Sequence, residues 1–266
     1  MSGSDLALVL VGWGAIGQAV AGMLAERRAP VRLVGLGLRS GAAGVPDGVS
    51  VLRDPAMLAG LAPALVVEAA GRDAVLPWGL AALAAGADYA PVSTSAFADD
   101  GVLEQLLAAA RAAGRQVLIP PGALGGMDAL AAAARGPMAF VRHEVVKPPA
   151  AWAGTGAEAL CDLGGLVAAR TFFTGTAREA AARFPQNANV AMIAALAGIG
   201  AEWTEVALVA DPAAAGNLHR ITAEGDFGRM VVEMQNRPLA ANPKSSALTA
   251  WSLVRLIENR AGVLVI

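Results

Sequence analysis

The stretch LALVLVGWGAIG, residues 6–17, decides the fold of this chain. Its first six residues are apolar and predict a buried strand, and residues 15–27 predict a helix. Gly12, Gly14 and Gly17 lie between them in G-x-G-x-x-G spacing. In such a turn the first glycine permits the bend, the second lets a pyrophosphate approach the backbone, and the third permits close packing of the helix on the strand.

The turn therefore predicts a dinucleotide-binding site. Ala15 and Ile16 would stand at the start of the helix, where free N–H groups and the helix dipole attract phosphate. The alternative is a glycine-rich turn in an α/β protein that binds no nucleotide. The position of this turn, after a strand and before a helix near the beginning of the sequence, favours the dinucleotide.

The end of the second predicted strand bears on the choice of cofactor. An NAD site usually has an acidic residue about 20 residues after the glycines, which binds the ribose 2′-hydroxyl. Here the region contains Arg39 and Ser40, and no acid occurs before Asp47. An arginine can pair with a 2′-phosphate, so the sequence favours NADP or the use of both cofactors. The alternative is a solvent-exposed loop arginine.

Two different patterns divide the chain. Up to residue 119, unbroken apolar runs alternate with alanine-rich helical stretches, and the last run, residues 116–119, is predicted to be a strand. This alternation is typical of a doubly wound parallel sheet of the Rossmann type. Beyond it, several predicted strands occur without regular helices between them, which indicates a second α/β domain with a mostly antiparallel sheet. We predict a dinucleotide-binding domain at 1–122, joined by a C-terminal helix from 241–266, and a substrate and oligomerisation domain at 123–240.

Composition excludes several classes of protein. The 266 residues include 20 Lys and Arg against 22 Asp and Glu, a net charge of −2, which argues against a nucleic-acid-binding protein. The single cysteine, Cys161, excludes an intramolecular disulfide framework, and two histidines leave little material for a metal site, so none is expected.

Residues 6–25 are uncharged and long enough to span a bilayer. Their glycines and their change of periodicity favour a buried strand followed by a helix instead. Residues 1–5 carry no Lys or Arg, so a signal peptide is not expected. We expect a cytoplasmic protein without a membrane partner.

The candidate acid–base residues lie in the second half. His219 stands near the start of a predicted strand after a polar loop, and histidine is suited to proton transfer near neutral pH. His143, inside an apolar strand, is interpreted as a core residue. Lys147 and Lys244 are the chain's two lysines, each beside proline; each is a candidate for a compact positive charge or an ordinary surface lysine.

Further polar and small residues follow predicted strands. Residues 68–71, including Ala70, and residues 93–95 would lie at the ligand-binding edge of the parallel sheet, unless they form ordinary turns. The small residues 121–126 would let a nicotinamide ring approach the backbone, or would form a plain hinge. Asn189 could orient an amide or a ribose, and Asn187 could be a helix cap.

These segments together resemble the L-aspartate dehydrogenase family. The resemblance runs nearly end to end and rests on VGWGAIG, PPGALGGMDAL, VVKPP, FPQNANVA, NLHRI and NPKSSALTAWS in this order. It implies a two-domain dehydrogenase that oxidises L-aspartate with NAD or NADP to iminoaspartate, which hydrolyses to oxaloacetate and ammonia, and that also catalyses the reverse reductive amination. A role in pyridine nucleotide biosynthesis is also implied.

The resemblance assigns roles to individual residues. It implies that His219 is catalytic and that Ala123 and Asn189 contact the cofactor. The two substrate carboxylates need cationic or N–H partners, for which Lys147, Asn217, Arg220 and Lys244 are candidates. A homodimer is expected by analogy. Two alternatives remain: another two-domain dehydrogenase or reductase, such as a homoserine dehydrogenase, and a non-catalytic module that senses NADP.

Overall fold

A computed structural model describes residues 5–41 and 43–266 of the chain. Three side chains lie outside this description: those of Gln186, Pro243 and Lys244. The chain divides into two compact units. Unit 1 comprises Met1–Gly122, Leu239–Ser245 and Thr249–Ile266, and unit 2 comprises Ala123–Pro238 and Ser246–Leu248.

The described residues form twelve strands and seven α-helices. The strands are β1 (Leu6–Val11), β2 (Val31–Gly37), β3 (Ser50–Leu52), β4 (Leu65–Glu68), β5 (Asp88–Pro91), β6 (Met138–Lys147), β7 (Arg170–Thr176), β8 (Thr204–Ala210), β9 (Asn217–Gly225), β10 (Gly228–Asn236), β11 (Pro238–Leu239) and β12 (Asn242–Ser246). The helices are α1 (Ala15–Glu26), α2 (Arg72–Ala84), α3 (Asp100–Ala113), α4 (Met127–Ala133), α5 (Ala177–Arg183), α6 (Ala188–Ala197) and α7 (Ala247–Ala261).

Unit 1 is built on a parallel sheet with strand order β3-β2-β1-β4-β5. This order is that of a dinucleotide-binding sheet, so the predicted Rossmann-type fold is confirmed. The central strands are runs of Val and Leu because both of their faces are covered. In β1 the four residues Leu8, Val9, Leu10 and Val11 are all almost completely buried.

Helices α1 and α7 cover one face of this sheet. Side chains of β1, β2 and β4 form one apolar cluster with Val20 and Leu24 of α1 and with Leu253 and Ile257 of α7. An ion pair also joins the two helices, with Arg27 Nε 2.6 Å from a carboxylate oxygen of Glu258. The last helix therefore contributes most of its apolar face to the core of unit 1.

The first-half prediction was wrong at residues 116–119, which form no strand. Tyr89 and Val117 make a single bridge, and the N–H of Gln116 is bound by the side chain of Asp88. Pro120 and the proline after it have no N–H to donate, so the ladder cannot continue. The short strand β3 and the strand β7 were not predicted.

Unit 2 contains a five-stranded sheet with order β10-β9-β6-β8-β7. Three of its pairings are antiparallel and one, between β6 and β8, is parallel. The predicted mostly antiparallel sheet is therefore confirmed. Helices α5 and α6 pack on one face, in a cluster that includes Trp152, Phe173, Phe184 and Leu208.

Within the described part of the chain, no helix has the length and apolar character needed to cross a bilayer. The uncharged residues 6–25 form β1 and most of α1.

Candidate active site

The turn between β1 and α1 is shaped by its glycines. Gly12 has a φ of +100°, and a Cβ at this position would lie 2.6 Å from the carbonyl oxygen of Ala69. A Cβ on Gly17 would collide with the carbonyl of Gly12. Both positions require glycine, the first for its backbone conformation and the second for the packing of α1 against the turn. A Cβ on Gly14 would meet nothing within 4 Å, so the backbone there is open to a ligand.

The first turn of α1 is suited to bind a pyrophosphate. Gly14 is its N-cap residue, no side chain caps the helix, and no acidic side chain lies in the first turn, which includes Ala15 and Ile16. The first N–H groups of a helix have no partner within it, and they lie at the positive end of the helix dipole. The open backbone and the uncapped helix end therefore fit a dinucleotide.

A buried carboxylate organises the neighbouring edge of the sheet. Glu68, at the end of β4, is fully buried and accepts hydrogen bonds from the N–H groups of Ala70 and Gly71, both at 2.7 Å. It also accepts from the N–H and the hydroxyl of Ser93, at 3.1 and 2.9 Å. Burial raises the pKa of Glu68, whereas these four hydrogen bonds favour its ionised form. Glu68 thus fixes both loops that follow β4 and β5.

The loop after β2 carries the residues proposed to distinguish the two cofactors. Arg39 and Ser40 are exposed. Arg53, which the sequence analysis did not single out, braces this loop, since its guanidinium donates to the carbonyl oxygens of Leu38, at 3.1 Å, and of Gly41. The loop therefore presents Arg39 to solvent from a backbone that a second arginine supports.

Three basic side chains form a row on one face of the unit 2 sheet. His143 and Lys147 lie four residues apart on β6, so they share a face. His219 lies on β9 directly opposite Val145, between them. The His143 Nε2 atom lies 3.2 Å from the His219 Nδ1 atom, and the ring centroids are 5.4 Å apart. We call these three residues the basic row.

Burial disfavours the charged forms of the three side chains of the basic row. His143 is completely buried, and its pKa lies well below the ordinary value because of burial and the neighbouring His219. Burial, with the charge of Lys147, lowers the pKa of His219 to about 4. Burial lowers the pKa of Lys147 to about 8. At neutral pH the histidines are therefore neutral and the lysine still carries most of its charge.

Two side chains position Lys147. Its ammonium donates a 2.6 Å hydrogen bond to Oδ1 of Asn187 and lies 4.9 Å from the centre of the Trp152 ring. The indole N–H of Trp152 donates to the carbonyl of Val209 at 3.0 Å, which fixes the ring. Asn187 is buried and is the N-cap residue of α6, but its side chain makes no capping bond to the helix.

The other predicted site residues of unit 2 lie in different settings. Asn217 is two residues before His219 on β9, on the same face of the strand. Asn189 is exposed in the first turn of α6. Ala123 is buried, and its carbonyl accepts from Nδ2 of Asn236 at 2.8 Å. Lys244 belongs to β12, and its side chain is outside the described part of the structure.

Arg220 does not join the basic row, and its role as a substrate ligand stays a prediction. As the residue after His219 on a strand, its side chain points to the opposite face of the sheet. Its guanidinium pairs there with Glu233, at 2.7 Å, and with Glu144, at 3.4 Å. Both carboxylates compete with any substrate carboxylate for this arginine.

The sequence analysis missed His143, Asn187 and Trp152 as parts of the site. A signal for His143 was present, because strand alternation places it on the same face as Lys147. The contacts of Asn187 and Trp152 with Lys147 join distant segments of the chain, and no local pattern predicts them.

Comparisons with known proteins agree with this geometry. Residues 12–120 match the family model described as the NAD-binding domain of homoserine dehydrogenase, and residues 128–260 match the C-terminal domain of aspartate dehydrogenase. The chain is 55% identical to an L-aspartate dehydrogenase of Brucella anthropi over 262 residues, which cover 97% of this chain and 98% of the relative. It is 43% identical to that of Pseudomonas aeruginosa, covering 96% and 98%.

A solved structure of an aspartate dehydrogenase is also similar to this chain over both units. The crystal structure of the aspartate dehydrogenase of Thermotoga maritima has a TM-score of 0.80 and 27% sequence identity, and the match covers 98% of this chain and 99% of that one. A homoserine dehydrogenase of Thiobacillus denitrificans has a TM-score of 0.59 at 15% identity, which indicates a shared fold alone. Because the matches span both units at high identity, this chain belongs to the L-aspartate dehydrogenase family.

Proposed function

We propose that this protein is an NAD(P)-dependent L-aspartate dehydrogenase. It would oxidise L-aspartate to iminoaspartate, which hydrolyses to oxaloacetate and ammonia, and it would also catalyse the reductive amination. The observation that carries this proposal is the basic row, a buried pair of neutral histidines beside a lysine, in a chain 55% identical to a named L-aspartate dehydrogenase over nearly its full length.

The residues of unit 1 would hold the dinucleotide. Gly12, Gly14 and Gly17 shape the turn, and the N–H groups of Ala15 and Ile16 would bind the pyrophosphate. The bound nicotinamide supplies the chemistry of accepting a hydride from the substrate Cα.

The loops around the turn would complete the cofactor site. The edge fixed by Glu68, which includes Ala70, would line it. Ala123 and Asn189 remain proposed cofactor contacts. Arg39 and Ser40 would bind a 2′-phosphate, which gives a preference for NADP.

The basic row would bind and deprotonate the substrate. Lys147, mostly charged at neutral pH, would pair with one substrate carboxylate, and Asn217 and Lys244 are further candidates for carboxylate binding. His219 would take the proton that the substrate amine releases, or activate the water that attacks the imine. A bound dicarboxylate next to His219 favours the protonated ring, so substrate binding would raise the low pKa of this histidine.

The first test is the absorbance of NAD(P)H with purified protein, L-aspartate and each oxidised cofactor at alkaline pH. We expect reduction with L-aspartate and not with homoserine, glutamate or alanine. Turnover of homoserine instead would support the alternative dehydrogenase. Tight NADP binding without turnover in either direction, including oxaloacetate with ammonia, would support the sensing module.

The second test is His219→Ala. We expect turnover to fall about 100-fold or more, the usual contribution of a positioned acid–base group, while the Kd for NADP⁺ stays unchanged. Thr204→Val is a matched control, since Thr204 is buried in the same sheet on β8, a strand that carries none of the proposed catalytic or substrate-binding residues. Full activity in His219→Ala, or lost cofactor binding, would contradict the assignment.

Cofactor choice has its own test. Arg39→Ala should raise the KM for NADP⁺ and leave that for NAD⁺ nearly unchanged, because the two cofactors differ at the 2′-phosphate. Equal effects on both would show that Arg39 does not read this group.

We also propose a cytoplasmic homodimer with a role in pyridine nucleotide biosynthesis. One sheet face of unit 2 carries partly exposed charges of both signs, among them Arg142, Glu144, Arg220 and Glu233, which permits contact with a second copy of itself. Light scattering coupled to gel filtration should give twice the chain mass of 26.7 kDa; a monomeric mass would contradict the dimer.

A further inference from the structure

The two histidines of the chain share one hydrogen bond, and a hydrogen bond between neutral imidazoles needs one N–H and one lone pair. His143 Nε2 faces His219 Nδ1 at 3.2 Å, so one of these two atoms carries the proton and the other accepts it. A neutral pair carries two protons in either arrangement. The arrangements differ in which nitrogen of each ring is protonated.

The buried side of His143 distinguishes the two arrangements. Its Nδ1 is buried and has no hydrogen-bond partner among the described residues. If His143 donates through Nε2, this Nδ1 is a bare lone pair. If His143 accepts, this Nδ1 carries an N–H that nothing binds. Buried N–H groups without a partner are rarer in proteins than under-satisfied acceptors, so the first arrangement is favoured.

We propose that His143 is a positioning residue for the catalytic His219, donating its Nε2–H to Nδ1 of His219 and thereby fixing the orientation of that ring with its proton on Nε2. The catalytic part of this inference rests on the proposed function. His143 touches neither substrate nor cofactor in this proposal and acts through His219.

The arrangement has a consequence for the reaction. In the free enzyme His219 presents an Nε2–H, which suits a substrate oxygen such as the carbonyl of oxaloacetate. Accepting a proton from an amine requires the other arrangement, with the lone pair on Nε2. Each arrangement leaves Nδ1 of His143 unpaired, so the preference equals the difference in cost between a bare N–H and a bare lone pair, and a substrate ammonium, which needs an acceptor, offsets it.

Lys147 acts in the opposite direction. Its ammonium lowers the pKa of His219 and favours a lone pair on the side of the ring that faces it. The described contacts of this ammonium are with Asn187 and the Trp152 ring, and no hydrogen bond to His219 is described. The direct contact between the two rings is therefore expected to decide the proton position.

The first experiment observes the proton directly in the free enzyme. His143 and His219 are the two histidines of the chain, so histidine-selective ¹⁵N labelling of tag-free protein gives the spectra of two rings. Long-range ¹H–¹⁵N spectra at pH 7.5 should show His219 protonated on Nε2 and bare on Nδ1. The variant His143→Phe keeps only His219, so comparison with its spectrum assigns the signals of the two rings. A major form with the proton on Nδ1, or equal populations, would overturn the proposal.

The second experiment measures the catalytic consequence. His143→Phe keeps an aromatic side chain, with a somewhat larger ring, and removes the donor, and we expect kcat to fall about tenfold or more with the KM for NADP⁺ unchanged. His143→Gln can place an amide N–H near the position of Nε2 and should restore most of the activity. Thr204→Val is again the control for a change in the buried sheet. Wild-type kcat in His143→Phe, or equal loss in His143→Gln and His143→Phe, would overturn the positioning role.

Stability separates this role from a merely structural one. His143→Phe removes one hydrogen bond and leaves Nδ1 of His219 unpaired in place of Nδ1 of His143, so the free energy of unfolding should fall by no more than the contribution of that hydrogen bond while activity is lost. The NMR result is independent of the reaction, so it remains valid if the proposed function fails. Full activity in His219→Ala would refute the catalytic role of His219, and a lack of turnover with L-aspartate would refute the function; neither changes the proton position measured in the wild-type protein.

Discussion

Replacing His219 with glutamine should remove a large part of the acid sensitivity of unit 2. His219 is almost completely buried, and its pKa is lowered from 6.5 to about 4. The lowered value means that the unfolded chain binds a proton more readily than the folded chain. The stability that the neutral ring provides is thus complete above pH 6.5 and is lost as the pH falls toward 4.

The magnitude follows from linkage. Between pH 7 and pH 5 the unfolded ring becomes protonated and the folded ring stays neutral, so the free energy of unfolding falls by about 2 kcal/mol from this group alone. The pKa of His143 is also lowered, so this residue acts in the same direction. Wild type should therefore lose about 2 kcal/mol more than His219→Gln over this interval.

Urea unfolding at pH 7 and pH 5 measures the difference. Hydrogen exchange of the β6 and β9 amides, followed by mass spectrometry, reports on unit 2 separately. Any change in stability caused by the substitution itself cancels, because each protein is compared with itself at the two pH values. The same pH dependence in both proteins would refute the reasoning, since it would mean that His219 is protonated equally well in the folded and unfolded chains.

Three further predictions concern other buried or partly buried groups. Lys147→Met should raise the KM for L-aspartate at pH 7, and the KM of wild type should rise similarly as the pH increases through about 8, where the lysine loses its charge. Lys147→Arg should keep a low KM at pH 9; a KM that does not depend on the charge at position 147 would contradict carboxylate binding. Glu68→Gln should weaken NADP⁺ binding about tenfold, because the new amide must turn its NH2 group toward at least one of the donors that Glu68 now accepts from. Unchanged binding by calorimetry would show that the loops hold their shape without this carboxylate. Thr204→Val should raise the free energy of unfolding by about 1 kcal/mol, since it removes a buried hydroxyl that has no partner among the described residues; a loss of stability in urea would indicate that this hydroxyl is bound.

The fold of unit 1 could be predicted from local sequence. The strand, the glycine turn and the first helix follow one another directly over residues 6–26, and the spacing of the glycines in the turn is visible in this short segment. The parallel sheet followed from the regular alternation of apolar runs with helices. The strand predicted at 116–119 failed because the following prolines stop the ladder, although the run itself is apolar.

Unit 2 could be predicted only in part from the sequence. His219 and Lys147 could be singled out from their settings, and the end-to-end resemblance gave the family. Arg220 was an equal candidate for binding a substrate carboxylate in the sequence. Strand alternation places its side chain on the other face of the sheet, where it pairs with Glu233 and Glu144. Asn187 is the N-cap residue of α6, but its side chain binds the lysine 40 residues earlier and not the helix.

The dinucleotide turn, the two-domain α/β class and the family could be predicted without a structure, because they depend on residues that are neighbours in the chain or on an order of motifs along it. The tertiary structure decided which side chains meet. His143 and His219 are 76 residues apart and touch because β6 and β9 pair in a register that places Val145 opposite His219. Register and burial come from the packing of the whole sheet, and they set the charge and the proton position of these groups.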